Sequence, residues 1–215
     1  MSKPSAPSSR SKIRRIPELA NYERQSLYAI LDEAYVCHIA FHSDHSSHCI
    51  PTACWRIDDY LYVHGSNGGR LSKALLSGIQ VSLAVTHIDG LVLAKSAFSH
   101  TMNYRSAVIY GKFEKLKSAA EKLAAMDAFM DKIAAGRKHQ ARPGNSQELA
   151  ATSVMRIALD EAASKICNKG PVDKPEDMDL PVWAGVLPLA MQRGEPIAAG
   201  NEGLAIPDYV AAWAR

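Results

Sequence analysis

The sequence has no Cys-x-x-Cys pair, no GKS or GKT, and no GxGxxG. A redox dithiol of the usual spacing, a P-loop and a Rossmann fingerprint are therefore not written here. No run approaches the roughly 20 apolar residues needed to cross a bilayer. The Ser- and Pro-rich start has no apolar stretch behind its charges, so a secretory leader is not expected either. These absences point to a cytoplasmic protein without a membrane partner. Residues 1 to 15 lack any acidic side chain but hold Lys3, Arg10, Lys12, Arg14 and Arg15. Without that tail the net charge of +3 becomes slightly negative, which argues against a nucleic-acid-binding body.

What the chain does have is enough apolar content, 47% of 215 residues, for one good-sized core rather than two full domains. Its four cysteines, Cys37, Cys49, Cys54 and Cys167, read as reduced structural thiols. His38, His42, His45 and His48 crowd one region without a ligand spacing, so no metal site is assigned. No Ser/His/Asp or Cys/His arrangement is legible, and no catalytic acid, base or nucleophile is nominated.

The low-apolar tail 1–15 reads as disordered, residues 16–190 as the folded domain, and 191–215 as a C-terminal extension. Leu19, Tyr22, Leu27, Ile30 and Leu31 recur at helical spacing from Ile16 onward. Strand composition follows at 35–42, 49–56, 60–64, 79–86, 91–98 and 104–115, with a short helix at 71–76 ending at Gly78. Asp89-Gly90 is a strong tight-turn signal and predicts a hairpin between the fourth and fifth of these strands. Six strands without βαβ alternation predict a mainly β, antiparallel sheet with flanking helices that closes on itself. A helix with an apolar stripe covers 118–135, a strand covers 152–159 with 162–167 as its continuation, and 169–180 reads as a mobile connection. The apolar segment 181–189 and the arm beyond it are expected to pack on a partner subunit.

Between the third strand and the short helix stands His64-Gly65-Ser66-Asn67-Gly68-Gly69-Arg70, followed by Lys73. Glycines that let backbone N–H groups converge, with two cations at the opening of a helix, suit a phosphate group. A second polar cluster, Asn103-Tyr104-Arg105-Ser106, opens another strand.

These segments, together with Val36–Ala40, Ile50-Pro51-Thr52, Leu61–Ser66, Ser82–Leu93 and Pro181–Leu189, resemble the pyridoxamine 5′-phosphate oxidase-like split-barrel superfamily. Within it the resemblance is to the flavin-nucleotide-binding and Nim-type nitroimidazole-resistance branch. It implies an antiparallel split β-barrel and a homodimer with a flavin, FMN in the first instance and FAD or haem as alternatives, in the cleft between barrels. By register it implies His64, Gly65, Ser66, Arg70 and Lys73 at the phosphate and Pro51, Thr52 and Ala53 beside the isoalloxazine. It also aligns Arg105 and Ser106 with a polar pair, and Trp183 with an aromatic from the partner chain. The implied activity is an FMN-dependent oxidoreductase of small molecules, a nitroreductase among the candidates, drawing electrons from NAD(P)H. The alternative is a non-catalytic flavin or haem carrier or sensor. Gly69, where many relatives carry Ser, and the absence of an Arg near Cys167 depart from the pattern.

Overall fold

The computed structural model describes residues 4–200 and 203–213. In chain order these contain β1 (Ala20–Asn21), α1 (Arg24–Glu33), β2 (Val36–Ser43), β3 (Ser46–Ala53), β4 (Trp55–Ile57), β5 (Tyr60–Ser66), α2 (Arg70–Leu76) and β6 (Val81–Leu93). There follow β7 (Thr101–Gly111), β8 (Glu114–Lys115), α3 (Ala119–Ile133), α4 (Ser146–Ala151), β9 (Thr152–Ala158), β10 (Ala162–Cys167), β11 (Gly185–Pro188) and α5 (Asp208–Ala211).

Two antiparallel sheets carry the fold, where a single closing sheet was expected. One runs β1-β10-β7-β6-β2-β3 with β11 added to β6, and the other runs β4-β5-β9-β8. The chain passes between them four times: at Cys54 from β3 to β4, through α2 from β5 to β6, at Lys112-Phe113 from β7 to β8, and at 159–161 from β9 to β10. Hydrogen-bonded pairing does not close into a ring among the described residues. Between the sheets lies the main core, including Ile39, Leu61, Val63, Leu83, Val85, Ile109, Met155 and Ile157, with Leu31 of α1 and Leu75 of α2 fully buried in it. Period-2 alternation explains this: along β2, Cys37, Ile39 and Phe41 point inward and their neighbours outward. On the other face of the second sheet, α3 lays Ala125 and Phe129 over Trp55, Tyr62 and Val154. Ser118 opens α3 with a capping box to Glu121.

Three expectations of local structure are corrected. Asp89-Gly90 does not turn the chain; β6 runs on for 13 residues, with a bulge in its register with β7 between Ile88 and Gly90. Asp and Gly serve a bulge as well as a turn, and here the irregularity aims the Asp89 carboxylate at Arg105 on β7 while Gly90 makes room for β11. A Cβ on Gly90 would stand 3.0 Å from Val186 Cγ1 and 3.1 Å from the Leu187 carbonyl. The first helix begins at Arg24 rather than Ile16, because Pro17–Leu19 forms a 3-10 turn and Ala20-Asn21 pairs with β10 before α1 starts. β9 and β10 belong to different sheets, turned apart at Asp160-Glu161.

Residues 1–3 lie outside the described residues, but from Ser8 to Arg15 the chain is laid against the first sheet. Ser11 is 3% exposed, Ser8 Oγ donates to Glu161 at 2.5 Å, Ile13 N to the Tyr22 hydroxyl at 2.9 Å, and Lys165 Nζ to the Arg15 carbonyl at 3.0 Å. The connection 169–180 is likewise anchored, since the Asp173 carboxylate accepts from the backbone N–H of Lys95 and of Ser96.

Candidate functional site

The loop from β5 into α2 owes its shape to two glycines. A Cβ on Gly65 would fall 2.7 Å from Ser72 Oγ, and one on Gly69 would fall 3.1 Å from Ser66 Oγ. Their absence of side chain lets two serine hydroxyls crowd against the backbone of the turn. Asn67 fixes the loop to the second sheet. Its N–H donates to Ala151 O at 3.0 Å, its Nδ2 to Ala150 O at 2.6 Å, and its Oδ1 accepts from the buried Ser153 hydroxyl at 2.7 Å. Sequence reading passed over Asn67, because nothing in the run itself reveals a partner 86 residues away.

Arg70 is the first residue of α2 and exposed, and Lys73 is exposed one turn on. Neither takes part in the ion pairs formed among the described residues, which engage Arg10, Arg24, Arg56, His87, Arg105, Lys138, Arg142, Arg156 and Lys174. Two cations outside those ion pairs thus stand beside a loop that Asn67 holds in place.

His64 lies on the face of β5 covered by α3. Its ring centroid is 5.8 Å from Trp55 and 5.0 Å from Phe129, and its Nδ1 is buried without a partner. Burial lowers its pKa, so the imidazole is neutral at neutral pH. Pro51 is exposed and Thr52 and Ala53 half-buried on β3, the edge of the first sheet, where the missing N–H of proline is tolerated.

Arg105 and Ser106 are not brought together: as neighbours on β7 they point to opposite faces of the sheet. Arg105 is engaged inside the chain. Its Nε and Nη2 donate to Asp89 at 2.9 and 2.7 Å, and its Nη1 and Nη2 donate to Glu33 of α1. The guanidinium holds both carboxylates below their usual range. His87 adds its Nε2 to the Ile30 carbonyl at 2.9 Å. Ser106 Oγ reaches the Lys165 carbonyl of β10 at 3.3 Å. Trp183, 63% exposed, precedes β11 and folds its ring over Gly185, at the end of the first sheet. Among the described residues no three His, Cys, Asp or Glu side chains converge to hold a metal ion. No helix there is long and apolar enough to cross a membrane.

Residues 23–166, which span α1 through β10 and the whole of this loop, match the family model described as pyridoxamine 5′-phosphate oxidase. The chain belongs to that family. Its fold is shared end to end by the flavocytochrome Anf3 from Azotobacter vinelandii, with 33% identity, a TM-score of 0.93, and coverage of 98% of this chain and 99% of that one. The FAD and heme binding protein from Mycobacterium smegmatis is 32% identical with a TM-score of 0.87, over 91% and 97% of the two chains. A candidate 5-nitroimidazole antibiotic resistance protein from Bacteroides thetaiotaomicron, 20% identical with a TM-score of 0.53 over 68% and 86%, shares the fold alone. Among curated proteins no relative matches.

Proposed function

We propose that this member of the pyridoxamine 5′-phosphate oxidase family is a cytoplasmic, homodimeric redox protein that binds a flavin, FAD in preference to FMN, together with a haem. One observation carries the reading: the end-to-end correspondence, at 33% identity, with a flavocytochrome. It favours the two-cofactor carrier over the FMN-dependent nitroreductase, whose relative is alike only in fold.

The residues present fit a flavin phosphate. The glycines of the loop let the Ser66 and Ser72 hydroxyls pack against its backbone, and Arg70 and Lys73 supply charge that no carboxylate among the described residues has claimed. Charge-assisted hydrogen bonds of this kind are the strong ones. Pro51, Thr52 and Ala53 on the edge strand offer backbone to a flat ring, and Trp183 offers an exposed indole to a second copy. The dimer is supported by the outward face of the first sheet, where Ala40, Ala84 and Val108 are half-exposed and Ile88, Leu91 and Met102 exposed.

A haem would need a side-chain ligand for its iron and an apolar surround. His64, neutral, would supply the first, and Trp55 with Phe129 the second. Arg105 has no part in this scheme beyond holding α1 to β6 and β7. When bound, the two groups supply electron transfer; the chain binds, orients and shields them.

The test is the absorption spectrum of the purified protein with mass identification of what it releases, followed by His64→Ala. Flavin absorption plus a Soret band, the latter lost in His64→Ala while flavin is kept, is the expected result. A protein that stays colourless in the presence of FAD, FMN and haemin overturns the proposal. Released FMN in place of FAD would correct the choice of flavin, and light scattering of the loaded protein checks the dimer.

A further inference from the structure

The two faces of β5 differ in kind. Leu61 and Val63 point into the main core and pack there as aliphatic side chains, whereas Tyr60, Tyr62 and His64 share the face that α3 covers. Trp55 of β4 stands directly opposite Tyr62 in the antiparallel register, which sets its indole beside that row. The rings then follow one another in contact. Centroids are 5.8 Å apart from His64 to Trp55, 5.9 Å from Trp55 to Tyr62 and 6.5 Å from Tyr62 to Tyr60.

The middle of this row is dry and its far end is not. Trp55 is 1% and Tyr62 6% exposed, and Phe129 of α3 packs on Trp55 at 4.7 Å and on His64 at 5.0 Å. Tyr60 is half-buried at the rim. Arg156 reaches the Tyr62 hydroxyl and lies over the Tyr60 ring, 4.2 Å from its centroid, while Glu114 offsets its charge. Aliphatic side chains serve packing alone, as Leu61 and Val63 do on the other face. What indole and phenol rings add is that each gives up one electron to a strong oxidant. Tunnelling falls off steeply with distance, so a series of ring contacts carries charge where one jump across the same span does not. An indole that has lost an electron stays a cation unless a base takes its N–H proton. Trp55 Nε1 is buried without a hydrogen-bond partner among the described residues, so the charge moves on rather than settling there.

We propose that Trp55, Tyr62 and Tyr60 form an electron-transfer chain between a haem held at His64 and the protein surface. The proposal rests on the haem reading and deepens it. With hydrogen peroxide as the oxidant, reduction of one peroxide to two waters at the haem consumes two electrons and two protons. The chain delivers the electrons singly. Trp55 gives one to the haem and is refilled by Tyr62, which releases its phenolic proton to water. Tyr60 then refills Tyr62, which regains a proton from water, and Tyr60 releases its own to solvent. A hydrogen-atom donor of the ascorbate type restores Tyr60 with one electron and one proton, and two such turns complete the reaction.

The experiment adds one equivalent of hydrogen peroxide to the haem-loaded, full-length chain in the presence of a nitroso spin trap, and mass spectrometry locates the trapped radical. Tyr62→Phe breaks the row while keeping a ring of the same shape, and Trp55→Phe is an independent break nearer the haem. The adduct is counted per bound haem, read from the Soret band, and circular dichroism confirms that each variant is folded. Expected is an adduct at Tyr60 in the wild type that is lost in both variants, with more haem bleached by the same peroxide. A wild type without an adduct at Tyr60, or an adduct there that persists undiminished in either variant, overturns the proposal while leaving the haem reading intact. A wild-type chain that takes up no haem removes that reading and the proposal with it.

Discussion

Replacing Arg105 with Met tests whether this residue is a clamp or a cofactor ligand. The guanidinium is 29% exposed and donates to two carboxylates at once, Asp89 at 33% and Glu33 at 52% exposure. An exposed ion pair contributes about 0.2–1 kcal/mol, and removing one partner of a fully buried pair costs about 3–5 kcal/mol. With half of Glu33 in water, screening discounts that side, and the network falls between these limits at about 2 kcal/mol. For a chain of this size that lowers Tm by about 4–8 °C. The pH dependence has a definite sign. Arg105 holds the folded-state pKa of Glu33 and Asp89 below their unfolded values, so their contribution is full above about pH 4.5 and is lost as pH falls through the lowered values. In Arg105→Met the same two carboxylates face each other without a cation, and acid relieves the repulsion. The gap between variant and wild type therefore narrows from pH 7 to pH 4 in urea unfolding. Asp89→Asn added to the variant recovers part of the loss at pH 7. A gap that is below about 0.5 kcal/mol or independent of pH refutes the clamp. An unchanged stability with flavin affinity down by about tenfold returns Arg105 to the cofactor.

Gly90→Val should lift β11 from β6, because a Cβ there already meets Val186 and the Leu187 carbonyl; the cost is about 1–3 kcal/mol, read as faster limited proteolysis between 181 and 189. Unaltered cleavage would mean that the arm is held elsewhere. Of the four thiols only Cys49 is exposed, and Cys37 is pushed further from reactivity by its hydrogen bond to Cys54 and by burial, so one thiol titrates with a bulky reagent in the native protein and four in urea. Arg70→Ala should weaken flavin binding by about tenfold or more without moving Tm, since the side chain is exposed and outside the ion pairs of the described residues. Equal affinity would remove Arg70 from the phosphate site.

The strands of the core were legible because period-2 burial leaves its mark residue by residue: Cys37, Ile39 and Phe41 on β2 alternate with polar or small neighbours. The short helix after β5 was legible for a similar reason, with Leu71, Ala74 and Leu75 on one face and Arg70 and Lys73 on another. What failed was whatever depended on the partner strand. Asp89-Gly90 carries the composition of a tight turn, and only the register of β6 against β7 reveals that one residue is extra and the strand goes on. Likewise Asp44-His45, with both φ angles positive, turns β2 into β3 in two residues, a shorter connection than the polar run around it suggested.

The site divides along the same line. Gly65, Ser66, Gly69 and Arg70 are consecutive or nearly so, and their joint role can be read from one stretch of chain. Asn67 and Arg105 act through partners remote in sequence: Ser153 for the first, Asp89 and Glu33 for the second. An Arg opening a strand looks the same whether its guanidinium faces an anionic ligand or two of the chain's own carboxylates, and the difference lies in what sits across the sheet. The tail is the converse case. Low apolar content predicts disorder because such a chain cannot bury enough surface to offset its entropy, yet Ser8, Ser11 and Ile13 are fixed by hydrogen bonds to Glu161, to one another and to Tyr22. Those bonds hold cations against a sheet that already carries Lys165. Hydroxyl and backbone hydrogen bonds, which apolar content does not measure, are what fix the segment, and Glu161 offsets part of the charge it brings.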